Sequence, residues 1–244
     1  MSLTLTLATA ARVLRQLRHD PRTLGLLLVV PCALTGLLAW VLSGTPVFDR
    51  VGAALLGVFP FVVMFLVTSV ATLRERQSGT LERLLTTPLG KGDLVGGYAL
   101  AFGAVAVLQA LIAVGFAVGV AGLDVAGPLW LLVVVAVVDA VLGTTVGLLV
   151  SAFAATEFQA VQFMPAVVLP QFLLCGLLVP RGQMPSALSL LSDVLPLSYA
   201  VDAMNTVTKR SDATAPALRD VAVVLGFAAV AVVLGSVTLR RRTP

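Results

Sequence analysis

The sequence predicts an all-α membrane protein with six transmembrane helices, and three observations lead there. Hydrophobic residues make up 59% of the chain and mean hydropathy is +1.04, well above soluble-domain values. Six stretches are long and apolar enough to cross a hydrocarbon core, which takes about 20 helical residues. Charged residues are only 11% of the chain, and they gather in short segments beside the apolar runs, as membrane topology requires. The net charge of +4 therefore implies no nucleic-acid partner, because its carriers form no single basic face.

The first element, residues 1–22, reads as an amphipathic helix lying in the membrane interface. Leu3, Leu7, Ala10, Leu14 and Leu17 recur at helical spacing, Arg12, Arg15 and Arg18 lie off that stripe, and Pro21 ends it. The first eleven residues carry no positive side chain, so a cleaved signal peptide is not expected. The spans follow at about 23–43, 51–73, 94–121, 128–152, 160–180 and 220–239. The third is long enough to tilt. Pro60 in the second and Pro165 and Pro170 in the fifth mark expected kinks. Cys32 and Cys175 fall inside apolar runs without metal-ligand spacing and read as buried structural thiols.

Lysine and arginine set the orientation. With the N-terminus inside, Arg12, Arg15, Arg18, Arg22, Arg74, Arg76, Arg83, Lys91 and Arg240 to Arg242 are cytoplasmic. That is eleven against five outside, namely Arg50, Arg181, Lys209, Arg210 and Arg219. Both termini are thus expected in the cytoplasm. Arginine outnumbers lysine fourteen to two, a bias that points to a high-GC bacterial genome.

Residues 74–93 form the most charged internal loop. Leu81, Leu84 and Leu85 stand at i, i+3 and i+4, so a helix from about Thr80 to Thr87 would show a short apolar face. Ser78 or Thr80 can cap it, Glu82 suits its positive end, and Pro88 stops it. Two turns are not stable alone in water, so this helix requires a surface to dock against.

The run RERQSGTLERLLTTPLGKGDL, from Arg74 to Leu94, resembles the first cytoplasmic loop of ABC-2 type transporter permeases, closest to the daunorubicin-resistance type of drug and antibiotic exporter. Pro180 to Met204 is similar to that family's outer segment between the last two spans, and Thr156 to Gln162 to its inner loop before the fifth. The resemblance implies a six-span half-channel that pairs with a second permease chain, expected to be identical. It also implies a separate ATP-binding cassette subunit carrying ATP and Mg, docked on a cytoplasmic coupling helix. Arg74, Glu75, Gly79, Thr80, Leu81, Glu82 and Leu85 match the coupling loop. Residues 181–208 match short helices that close the outer exit. The implied function is export of an amphiphilic drug, antibiotic or lipid-like substrate across a bacterial cytoplasmic membrane.

The chain itself is not expected to hydrolyse ATP or to bind a cofactor. A P-loop needs G-x-x-x-x-G-K-[ST], and around Gly90-Lys91 the first glycine is Leu85 and the final Ser or Thr is Gly92. Within the spans, Asp139 sits mid-helix in the fourth, where a charge costs at least about 2.5–3.5 kcal/mol. It reads as a substrate contact, a proton relay or a protonated strut. Gln109, Gln162 and Gln171 are further residues of a candidate substrate path, and with Gln159 they also read as interhelical glue. The glycine pairs Gly115/Gly119 and Gly143/Gly147 read as close-packing positions. His19, beside Asp20, reads as solvated or cap-adjacent. An alternative function is a proton-coupled secondary transporter using Asp139 and Glu157, although the two halves show no inverted repeat. An intramembrane enzyme would need a convergent catalytic set at membrane depth, which the sequence lacks.

Overall fold

The computed structural model describes residues 2–43, 45, 47–77 and 91–238. The helix expected over 80–87, and with it Gly79, Thr80, Leu81, Glu82 and Leu85, lies outside the described residues. Among those described, the chain is helical throughout, without a strand. In chain order the helices are α1 (Leu3–Arg18), α2 (Pro21–Val41), α3 (Val47–Gln77), α4 (Lys91–Gly119), α5 (Leu129–Ser151) and α6 (Glu157–Leu174). A 3-10 turn (Arg181–Gln183) then precedes α7 (Ser186–Val194), α8 (Pro196–Lys209) and α9 (Thr214–Thr238).

Five helices, α2, α3, α4, α5 and α9, are long and apolar enough to cross a membrane. The fifth expected span ends earlier than its composition suggests. α6 has 18 residues and stops at Leu174, although 175–180 are also apolar. Gly176 adopts φ +93°, a left-handed conformation that glycine enters freely and that ends a helix. The helix runs through both Pro165 and Pro170. Beyond it, α7 and α8 form a pair bent by 96° at Leu195, too sharp for one continuous span.

The bundle is organised around α3 and α5, which run parallel and pack along their length. A Cβ on Gly143 would lie 2.5 Å from the Phe61 carbonyl oxygen, and one on Gly147 equally close to that of Phe65. These glycines therefore set the helix separation, the role small residues play where lipid removes the hydrophobic drive for association. Gly115 and Gly119, by contrast, have nothing within 4 Å. Around this pair, α9, α4 and α8 cover α5, while α2 and α6 pack against α3. Cys175 is buried, but Cys32 is only half-buried because α2 turns much of its surface outward, correcting the expectation for that thiol.

α1 lies beside α4 and divides its apolar residues between two surroundings. Thr6, Thr9, Ala10, Val13 and Leu17 are buried against the protein, whereas Leu3, Leu7 and Leu14 are exposed. Only part of the expected stripe therefore faces outward. The buried face uses threonines because the approach is close: a Cβ on Gly97 of α4 would sit 2.5 Å from that of Thr9. Arg15 and Arg18 leave from the remaining side, both exposed. Three sectors, protein-facing, apolar and basic, suit a helix seated at a membrane surface.

Asp20 starts α2. Its carboxylate accepts from the Thr23 amide (3.2 Å) and hydroxyl (2.6 Å), bonds that hold the carboxyl below its usual range. His19 closes α1, its amide reaching the Arg15 and Gln16 carbonyls and its Nδ1 2.7 Å from the Arg15 oxygen. The cap-adjacent role is where the structure puts it.

Candidate functional site

Neighbouring residues on a helix diverge by about 100°, and the last turns of α3 use that divergence. Arg74 and Glu75 point to different elements. Arg74 donates to both carboxylate oxygens of Glu157 at the start of α6, at 2.9 and 3.0 Å. This two-pronged geometry is the strong form of an arginine–carboxylate pair. Glu75 pairs with Arg12 of α1, and Arg12 also donates to the Tyr98 hydroxyl of α4 at 3.3 Å. One short piece of α3 thus ties α1 and α6 together immediately before residues 78–90.

The other side of that segment is tied to α1 as well. Asp93, in the first turn of α4, accepts from the Ser2 amide at 2.7 Å and the Thr6 hydroxyl at 3.3 Å. With Gly97 and Tyr98 this makes the start of α4 a seat for α1. Sequence reasoning placed Arg74 and Glu75 in the site but missed Arg12, Asp93 and Tyr98 as their companions. The available signal was charge in an apolar chain: Asp93 lies one residue before a predicted span and Arg12 lies off the apolar stripe of the first helix.

The residues assigned to a substrate path are not brought together. Gln109 is a strut, its Nε2 donating to the Leu27 carbonyl of α2 at 2.8 Å. Gln171 donates to Val167 at 3.1 Å and accepts from the Leu197 amide at 3.3 Å, joining α6 to α8. Gln162 is exposed on α6. Asp139 is wholly enclosed, and neither carboxylate oxygen has a hydrogen-bond partner among the described residues. Glu157, the second residue of the proton-carrier alternative, is occupied by Arg74 at the bundle's end.

At the opposite end, Arg181 gathers the short helices. Its guanidinium pairs with Asp193 of α7 and Asp202 of α8 and lies 4.9 Å over the Tyr199 ring, an arrangement that adds cation–π attraction. Tyr199 in turn donates to the Asp193 carbonyl at 2.8 Å. Ser192 donates to the Leu174 carbonyl at 2.8 Å, which fixes the α7–α8 corner to the end of α6. α8 buries Leu197, Ala200, Val201, Met204 and Val207, so it is part of the packed bundle. The amide of Gly127 reaches the Val207 carbonyl at 2.9 Å; a Cβ on Gly127 would stand 2.7 Å from that same oxygen, so the contact requires glycine. The expectation of short helices between the last two spans is met here.

Comparison with known proteins matches both ends of this architecture. The ABC-2 type transporter pattern covers residues 4–207. Over 149 residues the chain is 30% identical to the probable multidrug ABC transporter permease YbhR of Escherichia coli K12, covering 61% of this chain and 40% of that protein. It is 24% identical over 147 residues to the probable multidrug ABC transporter permease YbhS of the same strain, covering 60% and 39%. A third similarity, 26% over 141 residues, is to ABC transporter G family member 20 of Dictyostelium discoideum, covering 58% and 19%. The match spans about 40% of the length of the bacterial relatives. Helices α1 to α7, the charged α3 terminus and all but the last turn of α8 fall inside the matched region, with α9 beyond it, and the chain belongs to the ABC-2 type transporter family.

Proposed function

We propose that this chain is the permease subunit of an ATP-binding cassette exporter, carrying an amphiphilic drug, antibiotic or lipid-like substrate across a bacterial cytoplasmic membrane. ATP and Mg sit on a separate subunit, which docks on residues 78–90, and a second copy of the permease completes the path. The observation that carries this reading is the double tie at the α3 terminus: Arg74 to α6 and Glu75 to α1. A push delivered to the adjoining loop reaches three helices at once. Differential affinity of ATP for two arrangements of those helices then supplies the work of transport. Both termini face the cytoplasm in this reading, in line with the eleven-to-five distribution of basic residues. Low aromatic content, 6%, favours a small or lipidic cargo over a polysaccharide.

The test is purification from native membranes in mild detergent, with ATPase measured on the complex and on Glu82→Ala and Leu85→Ala forms. A stoichiometric ATPase whose activity loses its link to transport on substitution supports the reading. A chain that purifies with no ATPase refutes it. A second reading, proton-coupled transport, is favoured by the enclosed and unpartnered carboxyl of Asp139. It requires that Asp139→Asn abolish the pH dependence of transport.

A further inference from the structure

A cleft of about 730 Å³ opens at the α1 end of the bundle, a size typical of sites for drug-sized ligands. Its walls are Leu26 of α2, Leu66, Val67 and Val70 of α3, Phe102 of α4 and Val161 of α6. Its mouth carries Asp20, Arg22, Arg74 and Glu75. None of Asp139, Gln109, Gln162 or Gln171 lines it.

Two cations and two anions at the mouth, counted with their partners Arg12 and Glu157, sum to zero formal charge, so the two signs differ in access and not in number. Both oxygens of Asp20 accept from Thr23, and Glu75 is held by Arg12. Arg74 spends Nε and one Nη on Glu157, yet its side chain remains 60% exposed and its other Nη is not used in that pair. Arg22 is exposed and makes no ion pair among the described residues. The donors left facing the mouth are those of Arg22 and the Nη of Arg74 not spent on Glu157, while Asp20 stays anionic with both oxygens occupied by Thr23. Arg15 and Arg18, exposed on α1 nearby, add to the positive field. At a membrane surface such a field draws anionic head groups.

We infer that this cleft binds an anionic amphiphile taken from the adjoining leaflet. Its phosphate or carboxylate head meets Arg22 and the Nη of Arg74 not spent on Glu157, and its apolar part lies along Leu66, Val67 and Phe102. That the occupant is the cargo in its loading position rests on the exporter reading; that it binds does not. Because Arg74 and Glu75 form the rim, any motion of the α3 terminus changes the mouth of the site.

The experiment uses the full chain in phosphatidylcholine nanodiscs, with empty discs subtracted, and two fluorescent probes of equal chain length. One is dansyl-undecanoate and the other a dansyl-undecyl trimethylammonium. The carboxylate should bind at least tenfold more tightly. Arg22→Glu should remove that preference, and Val67→Trp, which fills the cleft, should abolish saturable binding of the carboxylate. Millimolar inorganic phosphate should not displace it. Equal affinity for the two probes, an unchanged Arg22→Glu, binding that survives Val67→Trp, or displacement by phosphate alone would each overturn the assignment. Loss of ATP-driven export with probe binding intact would instead count against the exporter reading alone.

Discussion

Removing either member of the Arg12–Glu75 pair should loosen α1 from α3, and the size of the effect can be bounded. Fully exposed ion pairs contribute about 0.2–1 kcal/mol, whereas breaking a buried pair costs about 3–5 kcal/mol because a charge is left without a partner. Side-chain exposures of 28% for Arg12 and 10% for Glu75 place this pair between those limits. Glu75→Ala should therefore destabilise by about 1–3 kcal/mol, with the Arg12 guanidinium left to Tyr98. Arg12→Ala should cost a similar amount, and the double substitution less than the sum, since the two groups share one interaction. The assay is unfolding of the purified chain in mixed micelles, read as a double-mutant cycle. Transport-linked ATPase measured in parallel should fall in both single variants, and in the exchanged pair Arg12→Glu with Glu75→Arg it should recover in part. Additivity within about 0.5 kcal/mol, or single variants with unaltered coupling, would refute the claim that this contact joins α1 to the loop.

Gly143→Val should destabilise by about 1–3 kcal/mol through overpacking, because the new Cβ would lie 2.5 Å from the Phe61 backbone; Gly115→Ala, with nothing within 4 Å, should be harmless. Thermal unfolding in detergent compares the two. Arg181→Ala releases Asp193, Asp202 and Tyr199 together, so hydrogen exchange over 186–209 should rise severalfold. No change there would mean that the buried face of α8 alone holds the cap. Single cysteines at Gly90 and Ser211 should label from opposite sides of the membrane, and equal accessibility would overturn the expected topology.

The spans were readable because the bilayer imposes a length and a composition that few other constraints mimic. α5 is one example: its boundaries fall within a residue of the expected 128–152. α6 was read too long because hydropathy does not register a left-handed backbone at Gly176. Which glycine pair joined helices was not readable either, since Gly115/Gly119 and Gly143/Gly147 carry the same local pattern and only tertiary placement separates them. The site was half legible. Arg74 and Glu75 stood out as charges in an apolar chain, but their partners Arg12 and Glu157 lie 63 and 83 residues away in sequence. Glu157 looked inexpensive at a span boundary, and only the folded chain shows that it pairs with Arg74 and ties α6 to α3. The cleft left no motif because its walls are ordinary apolar residues drawn from five helices, Val13 and Leu17 of α1 among them.

The two feet of the 78–90 segment both stand on α1. Glu75, on one side, grips Arg12, and Asp93, on the other, grips Ser2 and Thr6. Along a helix these grips are about 9–15 Å apart at 1.5 Å per residue. Under the proposed coupling, opposed displacement of the two feet would become a torque on α1, whereas displacement in common would shift it bodily. With Leu3, Leu7 and Leu14 exposed on its outer side, α1 in the proposed exporter would act like a keel in the surrounding lipid: rotation would meet drag from the acyl chains, and the fluidity of the membrane would set how readily the motion is transmitted.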